Sequence, residues 1–237
     1  MRKILKYGFF VITLVLFGII TYYGIELKKA DNYTEKIILN DLKNYQWRKP
    51  NGTEKKFQIR SVNLSEQQLK ILLKVQDPGF YSHKGIDLKT PGAGLTTMTQ
   101  AIVKKLYFEK FTPGLAKIKQ SLIARFVVNH RISKEDQITL FINSMFFGRV
   151  NEKPIIGLEA AARAYYGKNT PLLTDDEYIS LIAMIVMPGT FHILEHPEWN
   201  QERVNRIKKL VAGQYIPTGL MDQFYGDLPD GVVHHGL

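Results

Sequence analysis

One uncharged stretch near the N-terminus constrains this chain most strongly. Residues 7–25 contain no charged side chain, and their apolar core runs from Phe9 to Ile20. As a helix rising about 1.5 Å per residue, the stretch is about 28 Å long, close to the ~30 Å hydrocarbon core of a bilayer. Tyr22 and Tyr23 fall where an interfacial aromatic belt is expected. The sequence therefore predicts one transmembrane helix over residues 7–25.

A cleaved signal peptide is the alternative interpretation of this stretch. It is disfavoured because no small-x-small cleavage site follows and because the apolar run exceeds the usual length of a signal peptide core. Three of the first six residues are basic, which places residues 1–6 in the cytoplasm and the rest of the chain on the outer side of the cytoplasmic membrane. Lys28 and Lys29 weigh against that orientation.

The charge of the chain points to anionic partners. The net charge is +10, of which the first six residues supply +3 and the rest +7. A basic domain tethered at a membrane favours lipid headgroups, phosphates or anionic glycans. The tether and the lack of a recognisable nucleic-acid-binding motif argue against nucleic acid. The absence of cysteine excludes a disulfide scaffold, a thiolate metal site and a cysteine nucleophile.

Helix signals dominate the remainder of the chain. Residues 26–56 are polar and charged and are predicted to form a stalk, which leaves residues 57–237 as the domain. A strand signal is confined to residues 57–62. The expected fold is mainly α, α+β at most. Helices are predicted after the caps Ser65, Ser133 and Thr174, around residues 102–106, after Pro113, over 158–166 up to Gly167, and over about 201–212.

Four strings of residues occur in a fixed order. Each alone is explained by a turn or a capped helix start, although the second, a Gly-led loop entering a helix and followed by Lys104, can also hold phosphate oxygens. The strings are Gln-Asp-Pro-Gly-Phe-Tyr-Ser-His-Lys-Gly (76–85), Gly-Leu-Thr-Thr-Met-Thr-Gln (94–100), Ala-Lys-Ile-Lys-Gln (116–120) with segments 132–138 and 141–148, and Gly-Leu-Glu-Ala-Ala-Ala-Arg-Ala-Tyr-Tyr-Gly-Lys (157–168).

Together the four strings resemble the peptidoglycan glycosyltransferase family, glycosyltransferase family 51. This family comprises the transglycosylase half of the bifunctional penicillin-binding proteins and the stand-alone monofunctional enzymes. The resemblance covers roughly residues 64–212, and since no transpeptidase domain follows, the layout is similar to the monofunctional form. It implies a lysozyme-like helical fold at the outer face of the cytoplasmic membrane. It also implies chemistry on lipid II, a disaccharide-peptide carried on a polyprenyl pyrophosphate.

The chain departs from this family at both acidic positions. The first string of the family begins with a Glu that acts as the general base, and Gln76 stands there. A carboxamide cannot accept that proton, and general-base catalysis contributes about 10²–10⁴-fold. The second Glu, near the pyrophosphate and its metal ion, corresponds to Gln120, or to Ser121 if the match slips by one residue. Asp77, and after it His83, are the candidates for a substitute base.

Other family positions are kept. The resemblance assigns substrate binding to Phe80, His83, Thr97, Gln100, Lys104, Lys117, Lys119 and Asn143. Because glutamine keeps the shape of glutamate and removes its charge, the site becomes more positive and favours holding a pyrophosphate over turning it over. We therefore expect a catalytically degenerate protein that binds lipid II, nascent peptidoglycan or cell-wall synthesis proteins.

Two alternatives remain open at this stage. One is an active inverting glycosyltransferase that polymerises a lipid-linked disaccharide with a rearranged site and a divalent cation such as Mg²⁺ or Mn²⁺. The other is a purely structural, membrane-tethered helical domain. No residue is assigned as a metal ligand.

Overall fold

The computed structural model describes residues 2–44, 47–48, 55–57 and 64–232. Its helices are α1 (Arg2–Tyr33), α2 (Leu39–Lys43), α3 (Glu66–Gln76), α4 (Met98–Leu106), α5 (Leu115–Ile123), α6 (Asn129–Arg131), α7 (Lys134–Ser144), α8 (Leu158–Tyr166), α9 (Asp175–Met184) and α10 (Pro197–Val211). Its strands are β1 (Trp47–Arg48), β2 (Lys55–Phe57), β3 (Phe146–Val150) and β4 (Lys153–Ile156). The predictions of a mainly helical fold and of one N-terminal apolar helix are confirmed.

Helix α1 joins the apolar N-terminal segment to the domain. One helix among the described residues is long and apolar enough to cross a membrane, and it is this one. A π-helical turn, Thr34–Ile38, links it to α2, so the helical path continues from Arg2 to Lys43. The described first half of the predicted stalk is therefore helical, and it packs on the domain. Ala30 and Ile38 are buried in the core.

Polar contacts fasten the same segment to α4–α6. The guanidinium of Arg131 donates two hydrogen bonds to the carboxylate of Asp31, at 2.7 and 2.9 Å. The hydroxyls of Thr34 and Tyr107 lie 2.7 Å apart at a partly buried position. These contacts join α1 and the turn that follows it to residues 73 and 100 positions later in the chain, at the end of α4 and in α6. They place residues 26–38 within the folded unit.

The predicted helix caps form as expected. Ser65 and Thr174 each accept a hydrogen bond from the backbone N–H three residues later, and the side chain there returns a bond to the cap, which completes a capping box. Ser133 caps α7, and Gly167 ends α8 in the left-handed conformation. α10 begins earlier than predicted, at Pro197, because proline is well suited to the first position of a helix.

A β-hairpin that the sequence did not predict follows α7. β3 and β4 pair antiparallel, with Phe146 opposite Ile156, and Asn151 and Glu152 adopt positive φ values at the turn between them. Strand alternation is weak here because the hairpin is short and irregular in register. Of the strand predicted over 57–62, Phe57 belongs to β2 and residues 58–62 lie outside the described part of the chain.

The core is centred on α9. The side chains of Tyr178, Leu181 and Met184 are fully buried, and α9 packs against α3, α8 and α10. α4 packs against α7 and α5 on the other side of the domain. After α10, residues 214–225 return across the domain without regular secondary structure, and we call this segment the C-terminal strap.

Candidate functional site

A cleft of about 290 Å³ opens between the end of α3, the start of α4, the end of α9 and the C-terminal strap. Its wall is largely apolar, and its charged residues are cationic: Lys104, Lys105 and Arg203. None of the described residues that line it is an aspartate or a glutamate. The cleft can therefore hold an anionic group beside an apolar one, but it offers no carboxylate as a base.

Gln76 faces this cleft as the last residue of α3. Its side chain is half-buried, and its Nε2 donates a hydrogen bond to the carbonyl oxygen of Ile182 on α9 at 3.1 Å. A carboxylate cannot make this bond, since it has no proton to donate. The amide is thus integrated into the contact between α3 and α9.

Asp77 and His83 form a buried pair beneath the cleft and do not line it. The Asp77 carboxylate accepts hydrogen bonds from Nε2 of His83, at 2.9 and 3.0 Å, and from the backbone N–H of Met98, at 2.8 Å. The N–H of Gly85 donates to Nδ1 of His83 at 3.0 Å, so the ring proton resides on Nε2. Both side chains hold the loop that follows α3 against the N-terminus of α4.

Thr97 and Gln100 form a capping box at that same N-terminus. Oε1 of Gln100 accepts from the N–H of Thr97 at 3.0 Å, and Nε2 of Gln100 donates to Oγ of Ser121 at 2.9 Å. Thr97 lines the cleft, whereas Gln100 is buried behind it. Gln100 therefore positions α5 rather than the cleft surface.

Gln120 lies on α5 and is 1% exposed. Its Nε2 donates to the carbonyl oxygen of Gln100 at 2.6 Å, while its Oε1 is buried without a hydrogen-bond partner among the described residues. Ser121, the alternative family match, is half-buried and donates to the carbonyl oxygen of Lys117 at 2.9 Å. Neither position presents an acid to the cleft.

Two of the three predicted lysines come together. Nζ of Lys117 donates to Oγ1 of Thr96 on the cleft wall at 2.8 Å. Burial, and then the neighbouring charge of Lys104, lower the pKa of Lys117 to about 8. Burial also lowers the pKa of Lys104, whose ammonium lies 4.9 Å from the ring centroid of Phe111. Lys119 is directed elsewhere and forms an ion pair with Glu26 of α1.

Comparison with known proteins decides the family. The family model described as "Transglycosylase" matches residues 43–212 of this chain. The chain belongs to the transglycosylase family. It thus carries a transglycosylase domain of the family 51 type, as the four strings had indicated.

Individual relatives of this transglycosylase domain are distant. Penicillin-binding protein 1A of Streptococcus oralis is 25% identical over 178 residues, covering 69% of this chain and 27% of that protein. Penicillin-binding protein 1F of Bacillus subtilis is 27% identical over 175 residues, covering 68% of this chain and 24% of that protein. Penicillin-binding protein 1B of Escherichia coli is 26% identical over 200 residues, covering 79% of this chain and 24% of that protein. The chain thus spans about a quarter of the length of these relatives.

Two further positions assigned by resemblance to substrate binding are buried in this transglycosylase domain. Phe80 is 1% exposed, and the ammonium of Lys134 lies 4.2 Å from its ring centroid. Asn143 is buried in α7, where its Nδ2 donates to the carbonyl oxygen of Thr139 at 2.9 Å. Neither lines the cleft, so both contribute to the scaffold around it.

A divalent cation does not fit the donor set that this structure presents. Mg²⁺ prefers carboxylate and other oxygen ligands. The described residues contain no group of three or more His, Asp or Glu side chains placed to hold a metal ion. The amide Oε1 of Gln120 is an available oxygen, but Lys117 and Lys104 already supply positive charge close to that part of α5.

The sequence did not indicate three of the residues that line the cleft. Arg203 reads as one of several charged residues on an amphipathic helix, yet it is 2% exposed. Met221 and Gln223 lie in the C-terminal strap, beyond the segment matched by the transglycosylase family, and no periodicity marks them. Only the folded chain brings them to the cleft.

Proposed function

We propose that this chain binds lipid II or nascent peptidoglycan during cell-wall synthesis and does not polymerise it. The observation that carries the proposal is the amide of Gln76 at the general-base position, in a cleft that no described carboxylate lines. The nearest acid along the chain, Asp77, is buried and already accepts hydrogen bonds from His83 and Met98. A missing base removes a factor of about 10²–10⁴ from catalysis.

The charges around the cleft support ligand retention. Lys104 lines it, and Lys117 is hydrogen-bonded to Thr96 on its wall. Two ammonium groups in a partly desolvated environment attract a pyrophosphate more strongly than they would in water. With glutamine at positions 76 and 120, none of the described residues that line the cleft is an acid that would oppose that attraction. Binding energy that is already realised in the ground state does not accelerate the departure of the pyrophosphate.

We place this activity at the outer face of the cytoplasmic membrane. The apolar part of α1 supports a single-pass anchor, and the basic residues before it support an outward-facing domain. A lipid-linked sugar is confined to the same surface, which raises its encounter rate with an anchored domain. Cell-wall synthesis proteins that use the same substrate are the protein partners that this location favours.

We expect the detergent-solubilised full-length chain to bind lipid II saturably and to form no glycan polymer from it. The assay measures polymer by gel electrophoresis of labelled lipid II and binding by fluorescence anisotropy. Gln76→Glu restores the base, and it is run alone and together with Gln120→Glu. The matched control is Gln67→Glu, the same change at an exposed position of the same helix.

Each outcome of this experiment has one meaning. Polymer from the unaltered chain overturns the proposal and establishes the active enzyme with a rearranged site. Polymer from a variant carrying Gln76→Glu, and not from Gln67→Glu, supports a binding protein that retains an enzyme's substrate site. If the unaltered chain binds no lipid II, the proposal is wrong whatever the variants do.

We expect the affinity for lipid II to fall about tenfold between pH 7 and pH 9. Lys117, with a pKa of about 8 in the free protein, is mostly protonated at pH 7 and mostly neutral at pH 9. Because the anion binds the protonated form better, affinity is lost as the pH rises through that value. Lys117→Arg keeps its charge over this range and should flatten the profile. An equally steep profile in Lys117→Arg would assign the pH dependence to another group.

A further inference from the structure

The C-terminal strap forms one wall of the cleft although it lies outside the family-matched segment. Residues 214–225 follow α10, whereas the match to the transglycosylase family ends at residue 212. Met221 and Gln223 of the strap line the cleft together with Lys104 and Gln76. The dimensions of the cleft therefore depend on residues that the family resemblance does not describe.

Backbone hydrogen bonds fix the strap to the loop that precedes α4. The N–H of Gly92 donates to the carbonyl oxygen of Gly219 at 2.8 Å, and the N–H of Gly94 donates to that of Leu220 at 2.7 Å. Farther along, the hydroxyl of Tyr225 donates to the carbonyl oxygen of Val75, next to Gln76, at 3.0 Å. The strap is thus attached on both sides of the cleft.

The buried side chain of Arg203 also holds the C-terminal strap in place. Its guanidinium is buried between the rings of Phe191, Phe224 and Tyr225, with centroids 5.0 to 5.6 Å away. It donates to the carbonyl oxygens of Gln223 and Phe224 at 3.2 and 3.3 Å. Burial lowers the pKa of Arg203 to about 10, so it stays charged at neutral pH. Releasing the strap would strand a buried charge, which is costly.

The side chain of Gln223 packs closely against Gly94. Gly94 has φ +67°, and a Cβ there would lie 2.2 Å from Oε1 of Gln223. The glycine therefore serves two needs, the left-handed backbone and the close approach of the strap. Loop and strap are therefore in direct contact at this junction.

We propose that the C-terminal strap is a specificity wall that limits the cleft to a single lipid-linked disaccharide and excludes longer glycan. This inference rests on the proposed function, and it selects the monomer over the nascent polymer. The cleft volume of about 290 Å³ is just below the usual range for ligand sites, about 300–1,000 Å³. A fixed wall rejects a longer ligand by steric conflict and leaves contacts to the shorter one unchanged.

Two side chains of the strap can be truncated without removing the backbone hydrogen bonds that hold the strap in place. Met221→Ala and Gln223→Ala remove side chains that line the cleft and leave the carbonyl groups bonded to Arg203 and the loop. Met221 is 49% exposed, so its truncation does not open the core. Ile216→Ala is the matched control, because Ile216 is on the same strap, is 79% exposed and does not line the cleft. Circular dichroism checks that all three retain the fold.

The test compares the binding of lipid II with that of a lipid-linked tetrasaccharide bearing the same pyrophosphate and polyprenyl chain. We expect the full-length chain to prefer lipid II by about tenfold or more. The double variant Met221→Ala/Gln223→Ala should bind both ligands about equally, and Ile216→Ala should keep the preference. Equal binding by the unaltered chain, or an unchanged preference in the double variant, overturns the inference and leaves the proposed function standing. Failure of the unaltered chain to bind either ligand overturns both.

Discussion

Replacing Asp77 by alanine is expected to lower the free energy of unfolding by about 3–5 kcal/mol. The carboxylate is 1% exposed and accepts from His83 and from the backbone N–H of Met98 at the first turn of α4. Alanine leaves both donors unpaired in a buried site and removes the charge that stabilises that helix terminus. Thermal unfolding in detergent, followed by circular dichroism, measures the loss.

Asp77→Asn separates a structural role from a chemical one. An amide oxygen in the place of Oδ2 can accept from both Met98 and His83, but the amide nitrogen would then lie beside the Nε2–H of His83, so we expect a loss of about 1–2 kcal/mol. Ligand binding should persist wherever the variant is folded. A fully stable Asp77→Ala variant would contradict the structural role. Should the unaltered chain polymerise lipid II and a folded Asp77→Asn variant fail to do so, Asp77 would be the substitute base.

Replacing Gln120 by glutamate is expected to destabilise this chain by about 3 kcal/mol. The Nε2 of Gln120 donates to the carbonyl oxygen of Gln100 at 2.6 Å, and a carboxylate oxygen placed there would be repelled. The other side-chain oxygen is buried without a partner among the described residues, so it offers no compensation.

Gln76→Glu is the matched comparison for this change. It is the same substitution, but position 76 is half-buried and faces the cleft, where water can solvate the charge. We expect it to cost about 1 kcal/mol, mainly from the lost bond to Ile182. If both variants unfold at the same temperature as the unaltered chain, the position 120 side chain must turn away from Gln100. In that case the amide there is not required by the fold.

The parts of the fold that local patterns determine were predicted from the sequence. The capping boxes at Ser65 and Thr174, the stop at Gly167 and the apolar N-terminal helix all depend on residues within a few positions of one another. The family membership was also predicted, because four ordered strings carry more information than any one of them. Local chemistry and motif order together were sufficient for these features.

The composition of the site could not be predicted in the same way. The resemblance assigned Phe80, His83 and Asn143 to substrate binding, yet their side chains are buried in the scaffold, and only the tertiary structure shows this. Lys119 pairs with Glu26, a partner far away in sequence. Arg203 and the strap reach the cleft through long-range packing. Such contacts join residues that are far apart in the sequence, so no local hydrophobic periodicity or helix propensity predicts them.

The continuous helical path from α1 into the domain sets where the cleft can work. Where residues 7–25 span a bilayer, the buried Ala30 lies only a few residues, or about 8 Å along the helix, beyond the apolar segment. The bonds of Asp31 to Arg131 and of Glu26 to Lys119 prevent that segment from acting as a loose tether. The domain is then held at one height and one tilt above the lipid. It can move sideways with the membrane, but it cannot extend away from the lipid surface.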